Sequence, residues 1–173
     1  MRRFYQMLIE SSSPAIPAAA PSLPPGVEIV VARDEDAYRA LYDVDCASFV
    51  DHWNFVAHPY DEWRTELVDS PNRDPDGLWL LTVDGAPAGI CALDHSRLSE
   101  DEGYVAILGV LREFRGRGLA SLLLQHAFVR DRERGLAGTR LGVDAENTTG
   151  AVGVYEKVGM RAVRTRQGWI KPL

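Results

Sequence analysis

The sequence predicts a mixed α/β domain, on three observations. Hydrophobic spacing switches along the chain between period two and period 3.6. From residue 27 onward the resulting order is strand, two helices, three strands, helix, strand, helix and two strands. The length of 173 residues, with 46% hydrophobic and 25% charged residues, suits one core of ordinary size without disulfide or metal staples.

Each element has a local reason. Residues 3–10 (RFYQMLIE) alternate, with Tyr5, Met7 and Ile9 on one face of a strand. Segment 11–25 holds half of the chain's ten prolines and is expected to be a semi-rigid extended linker outside the core. A single strand cannot stand alone in water. Strand 3–10 must therefore join a sheet edge of this domain, of a second copy in a homodimer, or of a preceding domain. The chain divides accordingly into 1–25 and a main domain over 26–173.

Residues 27–32 are a β-branched strand, and Asp34 caps a helix over 35–46 with Ala37, Leu41 and Val44 on one stripe. Segment 51–59 (DHWNFVAHP) is an aromatic, histidine-containing loop. A helix over 60–68 and a loop over 70–77 follow. Strands 78–83 and 88–94 form a hairpin around Asp84-Gly85, and 104–111 is a further strand. The helix over 118–134 buries Leu119, Leu122, Leu123 and Ala127. Its basic end, with Arg130, Arg132 and Arg134, reads as a solvated terminus favoured by the helix dipole. Strand 139–144, a helix over 148–158 ended by Gly159, and strands 161–165 and 169–172 close the chain.

Composition excludes several function classes. A net charge of −6 argues against general nucleic-acid binding through phosphates. No apolar run reaches the roughly 18 residues of a membrane span, and the start of the chain lacks the pattern of a secretory leader. Cys46 and Cys91 show neither a CxxC nor a ligand spacing. They read as two small core residues in a reduced cytoplasm, with no metal site. Of the 19 basic residues 17 are Arg, a side chain suited to fixed phosphate contacts.

The chemistry concentrates in residues 108–120 (LGVLREFRGRGLA). A strand ends near Val110, and Arg115-Gly116-Arg117-Gly118 then leads into a long helix. Two glycines let the backbone turn tightly, and the helix start supplies unpaired N–H groups and a partial positive charge. The combination is a pyrophosphate cradle. A P-loop is absent, and a dinucleotide fingerprint fails because Ser121 stands where its third glycine belongs. RxxGxA, over Arg115, Gly118 and Ala120, remains.

With that motif the sequence resembles the GCN5-related N-acetyltransferase (GNAT) family. The resemblance extends to Leu141–Asn147 (LGVDAEN) and to Asn147, Ala151, Tyr155 and Gly159-Met160, written NxxxAxxxYxxxGM, about 30 residues on. It implies a mostly antiparallel sheet with a splayed parallel pair, 104–111 beside 139–144, flanked by helices. Acetyl-coenzyme A (acetyl-CoA), as co-substrate, would enter the gap. The backbone of Leu108, Gly109 and Val110 would meet its pantetheine and acetyl carbonyl and stabilise the oxyanion of acyl transfer. Arg115, Gly116, Arg117, Gly118, Leu119, Ala120 and Ser121 would hold the pyrophosphate, with Asn147 and Ala151 on the following helix. DHWNF and GYVAILGV also resemble the actinobacterial mycothiol synthase-like subgroup, some members of which carry two such domains in tandem.

The family often uses a tyrosine at the position of Tyr155 to protonate the departing thiolate. A phenol of pKa ~10 can serve a thiolate of pKa ~8.5. An alkylamine of pKa ~10.4 costs ~4.6 kcal/mol to uncharge at neutral pH, so it needs a base or a water chain. Glu102 stands where the family often has a carboxylate, against a reading as a solvated loop acid. Asp94 and His95 are further candidates. Asp51, His52 and Trp53 lie where the family shapes the acceptor pocket. The expected activity is transfer of an acetyl group to a small-molecule or peptide amine by direct attack. The alternative is a non-catalytic acyl-CoA-binding module.

Overall fold

The computed structural model describes residues 2–50, 52, 55–146 and 150–168. Seven strands form one mixed sheet. They are β1 (Arg2–Glu10), β2 (Val27–Val31), β3 (Arg73–Val83), β4 (Ala86–Asp94), β5 (Glu102–Val110), β6 (Gly138–Asp144) and β7 (Arg161–Gly168). Their spatial order is β2-β3-β4-β5-β6-β1-β7. Helices α1 (Glu35–Phe49) and α2 (Tyr60–Leu67) cover one face; α3 (Leu119–Glu133) and α4 (Ala151–Lys157) cover the other. Expected strand 169–172 lies outside the described residues.

Period two divides the strand side chains between the faces. Leu78, Leu80, Ile90 and Ala92 pack under α1 with Leu41 and Val44. Trp79, Leu81, Cys91 and Leu93 face α3 with Leu123, Leu124 and Phe128. Asp34 caps α1 as expected, accepting from the Ala37 N–H at 2.9 Å. The helix runs one turn past the expected end, because Ser48 continues the buried stripe of Tyr38, Leu41 and Val44. Helix α4 starts later than expected, at Ala151.

Three readings are corrected. The strand over 3–10 covers no edge: β1 lies inside the sheet, antiparallel to both β6 and β7. Its alternation is as read, with Met7 and Ile9 in the core. Segment 11–25 is not a linker free of the core, since Ile16 is 6% exposed within it. Carbonyls in this proline-rich stretch accept bonds from α3, where Arg132 reaches Pro17 O (2.6 Å) and His126 reaches Pro21 O (2.9 Å).

The third correction links residues 73–77, read as loop, to the basic end of α3, read as solvated. Arg73 pairs with Asp94 and a bulge carries β3 on to Leu78. This places Asp74 at 3% side-chain exposure, gripped by Arg130 through two bonds (2.6 and 2.9 Å) and by Arg134 (3.2 Å). Burial alone would raise the Asp74 pKa, but the Arg130 bonds, the Asp76 N–H and both guanidinium charges hold it below its ordinary value. At Asp131, which accepts from the Thr139 hydroxyl (2.7 Å), burial wins and the pKa is raised.

The signs are opposite. The contribution of Asp74 is present above its ordinary pKa and lost as acid brings the pH through its depressed folded value. The contribution of Asp131 is present below its ordinary pKa and lost as pH rises through its raised value. Asp74→Asn is therefore expected to lower stability at pH 7 by about 2–3 kcal/mol, less than for a fully buried pair because the arginines stay partly wet. That deficit should begin to narrow as pH falls below the ordinary carboxylate range. Asp131→Asn, which keeps the Thr139 bond, is expected to match or exceed the wild type at pH 8. Urea titrations at pH 3, 7 and 8 check both; a pH-independent Asp74→Asn deficit would refute the linkage.

Candidate active site

Strands β5 and β6 run parallel, and their ladder covers only Glu102–Val105 against Gly138–Leu141. Beyond Val105 they diverge. Leu108, Gly109 and Val110 stay paired with Cys91, Ile90 and Gly89 of β4, so their other edge faces the gap. The gap opens into a cavity of about 670 Å³ between β5, β6, α1, α3 and α4. The splayed pair expected from the resemblance is present.

The turn into α3 forms one wall. Gly116 and Gly118 have φ of +73° and +75°, and nothing lies within 4 Å of a Cβ built on either. The left-handed backbone, rather than crowding, requires glycine there. Gly118 precedes the first turn of α3, whose first intrahelical bond is Leu122 N–H to Gly118 O (3.0 Å). The N–H groups of Leu119, Ala120 and Ser121 therefore have no acceptor inside the helix, and no acidic residue competes in that turn. The lining includes Gly116, Gly118, Leu119, Ala120 and Ser121. This is a fitting cradle for a diphosphate.

Arg115 lines the cavity, where its motif put it, and also has a structural task there. Its guanidinium donates to Val110 O and Ser48 O, both at 3.0 Å. The carbonyl ends of β5 and α1 attract it, and it ties the two together beside the cavity. Arg117 does not line the cavity and lies 5.8 Å from the Phe114 ring centroid. Lys157, which the motif did not single out, lines it instead. Asn147 lies outside the described residues, as do Asp51 and Trp53.

Tyr155 reaches the cavity from α4 at 9% exposure. Burial, helped by the neighbouring Cys91, pushes its pKa up to about 12. Ala151, one turn earlier, lines the same wall. Glu102 is corrected as a candidate base. It does not line the cavity and is locked to Arg140 of β6 in a bidentate pair, with the Nη2–Oε1 bond at 2.7 Å. That pair bridges the closed end of the wedge. His95 is engaged by Arg134 and Asp74, and Asp94 accepts from Ser96; neither borders the cavity.

The α1 side forms the remaining wall. His52 lines it and packs edge-on against Phe49, with ring centroids 4.6 Å apart. Phe55 lies beyond Phe49. Helix α1 presses close to β5: a Cβ at Gly109 would lie 2.8 Å from Ser48 Cβ and 3.1 Å from the Phe49 ring. Asp45, one turn earlier on α1, also lines the cavity and was missed from sequence. Its spacing to Ser48 and Phe49 was the available signal.

Among the described residues, no helix is long and apolar enough to cross a membrane, and no group of three or more His, Cys, Asp or Glu is placed to hold a metal ion. The acetyltransferase (GNAT) family model matches residues 38–160. The chain is 31% identical over 146 residues to an uncharacterized N-acetyltransferase of Methanocaldococcus jannaschii, covering 82% of this chain and 63% of that protein. It is 38% identical over 167 residues to a mycothiol acetyltransferase of Nocardia farcinica, covering 91% of this chain and 52% of that one. A GCN5-related N-acetyltransferase from Sphaerobacter thermophilus superposes with a TM-score of 0.76 at 27% identity, over 95% of this chain and 49% of that one. The chain thus spans about half to two thirds of the length of these relatives.

Proposed function

This chain belongs to the acetyltransferase (GNAT) family, and we propose that it moves the acetyl group of acetyl-CoA onto a primary amine by direct attack. One observation carries the reading. The cavity at the β5–β6 divergence is bordered at once by free strand edge, by a helix start with unpaired N–H groups and by a buried phenol.

Each part has a task in that reading. The α3 N-terminus and its glycine turn hold the diphosphate, and Lys157 adds positive charge at the cavity wall. The free edge of Leu108–Val110 binds the pantetheine arm and polarises the thioester carbonyl, strengthening as charge builds on that oxygen. The amine enters from the α1 side. Its nitrogen bonds to the acetyl carbon, the C–S bond breaks, and Tyr155 delivers its proton to the sulfur. The amine gives one proton to solvent before attack and a second once the nitrogen is acylated, since Glu102 is held in its ion pair, and solvent returns the proton that Tyr155 gave to the sulfur. The acceptor is assigned only as a primary amine; mycothiol acetyltransferase is the name of relatives about twice this chain's length.

The test is release of free thiol from acetyl-CoA across a panel of alkylamines, amino sugars and peptide amines. Amine-dependent release above the hydrolytic background supports the reading. Tight coenzyme binding with no turnover on any amine would favour a binding module instead.

A further inference from the structure

Asp45 is a carboxylate that no cation among the described residues pairs with. It lies on α1, half-buried, at the wall of the cavity. Its Oδ2 accepts from the Trp63 indole N–H at 2.8 Å. Among the described residues no Arg, Lys or His forms an ion pair with it, although arginines are abundant on the same side of the sheet. Burial raises its pKa, and the indole bond offsets this only in part. Burying an uncompensated carboxylate costs stability, so a partner from outside the chain fits its placement better than a structural role.

Position narrows the chemistry. Asp45 precedes Phe49 by four residues, about 5–6 Å along the helix, and Phe49 is where α1 meets Gly109 of β5. Asp45 thus lies about one turn along α1 from the residue that meets the strand edge assigned to the thioester, and it lines the same cavity. Phe49 and Phe55, both lining the cavity, add apolar surface beside it. We propose that Asp45 is the acceptor-binding group, which recognises an alkylammonium by its charge while Phe49 and Phe55 take the adjoining carbons. The inference rests on the acetyl-transfer reading and deepens it by naming a cationic acceptor class.

The experiment follows the Trp63 indole N–H resonance, assigned with Trp63→Phe, during titration with n-butylammonium and with its neutral counterpart n-butanol. The resonance is expected to shift saturably with the ammonium and not with the alcohol. Asp45→Asn, which keeps an acceptor for the indole, is expected to weaken ammonium binding at least 10-fold. Absence of a shift, equal shifts with both probes, or unchanged affinity in Asp45→Asn would each overturn the proposal. Acetyl-CoA affinity, measured calorimetrically on both proteins, is expected to be the same. Loss of it in the wild type would count against acetyl transfer, whereas a failed ammonium titration beside intact coenzyme binding would count against Asp45 alone.

Discussion

Replacing Tyr155 with Phe is expected to lower kcat about 10²–10⁴-fold, the usual worth of a positioned general acid, with the KM for acetyl-CoA within about two-fold. The hydroxyl is removed while the ring goes on filling the wall under α4. At a pKa of about 12 the phenol keeps its proton throughout the working range. Its neutral form is the acid, so its contribution is present below that pKa and lost as pH rises through it. Wild-type kcat should therefore show no decline assignable to Tyr155 up to about pH 10, where an ordinary phenol is half ionised. A phenol so raised is a weak donor to a thiolate of pKa ~8.5 in water. The same burial raises the proton affinity of a thiolate released beside it, which narrows the mismatch. Steady-state kinetics from pH 7 to 10.5 with several amines check this. A Tyr155→Phe enzyme within three-fold of wild-type kcat would remove the residue from the mechanism.

Removing β1 is expected to unfold the domain. The strand supplies the pairing edge of β6 on one side and of β7 on the other, and Met7 and Ile9 are 0% and 2% exposed. Truncating either to Ala should cost about 2–5 kcal/mol. Met7→Ala with Ile9→Ala would then consume much of the roughly 5–15 kcal/mol that holds a typical domain. Because β6 is also one arm of the wedge, partial loss of β1 should weaken coenzyme binding before the chain unfolds. Chemical denaturation of the double variant checks the first point. A chain lacking residues 2–10 with wild-type circular dichroism and melting temperature would show that β1 is dispensable.

How far the sequence could be read depends on the range of the forces involved. Alternation in 3–10 and the Asp34 cap are local, and both are seen in the structure. The bulge at 73–77 depends on Asp74 finding Arg130, far along the chain, and no local pattern announces that pairing. Ile16 is buried for the same kind of reason: a proline-rich stretch looks solvated until α3 offers Arg132 and His126 to its carbonyls. In the site, the glycine turn was legible because positive φ demands glycine. The bonds that Arg115 makes to two carbonyls were not, because a guanidinium that ties β5 to α1 and one that does not have the same sequence. Asp45 was hidden because one carboxylate on an amphipathic helix looks like part of its wet face.

The central claim is that the divergence of β5 from β6, closed by the Gly116–Gly118 turn, holds the diphosphate of acetyl-CoA. Titration calorimetry of the folded protein with acetyl-CoA tests it most directly, beside Gly118→Val, which forces a branched side chain onto a φ of +75°. The account predicts one site per chain in the wild type and affinity at least 10-fold weaker in the variant. No binding heat from the folded wild type, at more than one temperature, or equal affinity in the two proteins, would contradict it.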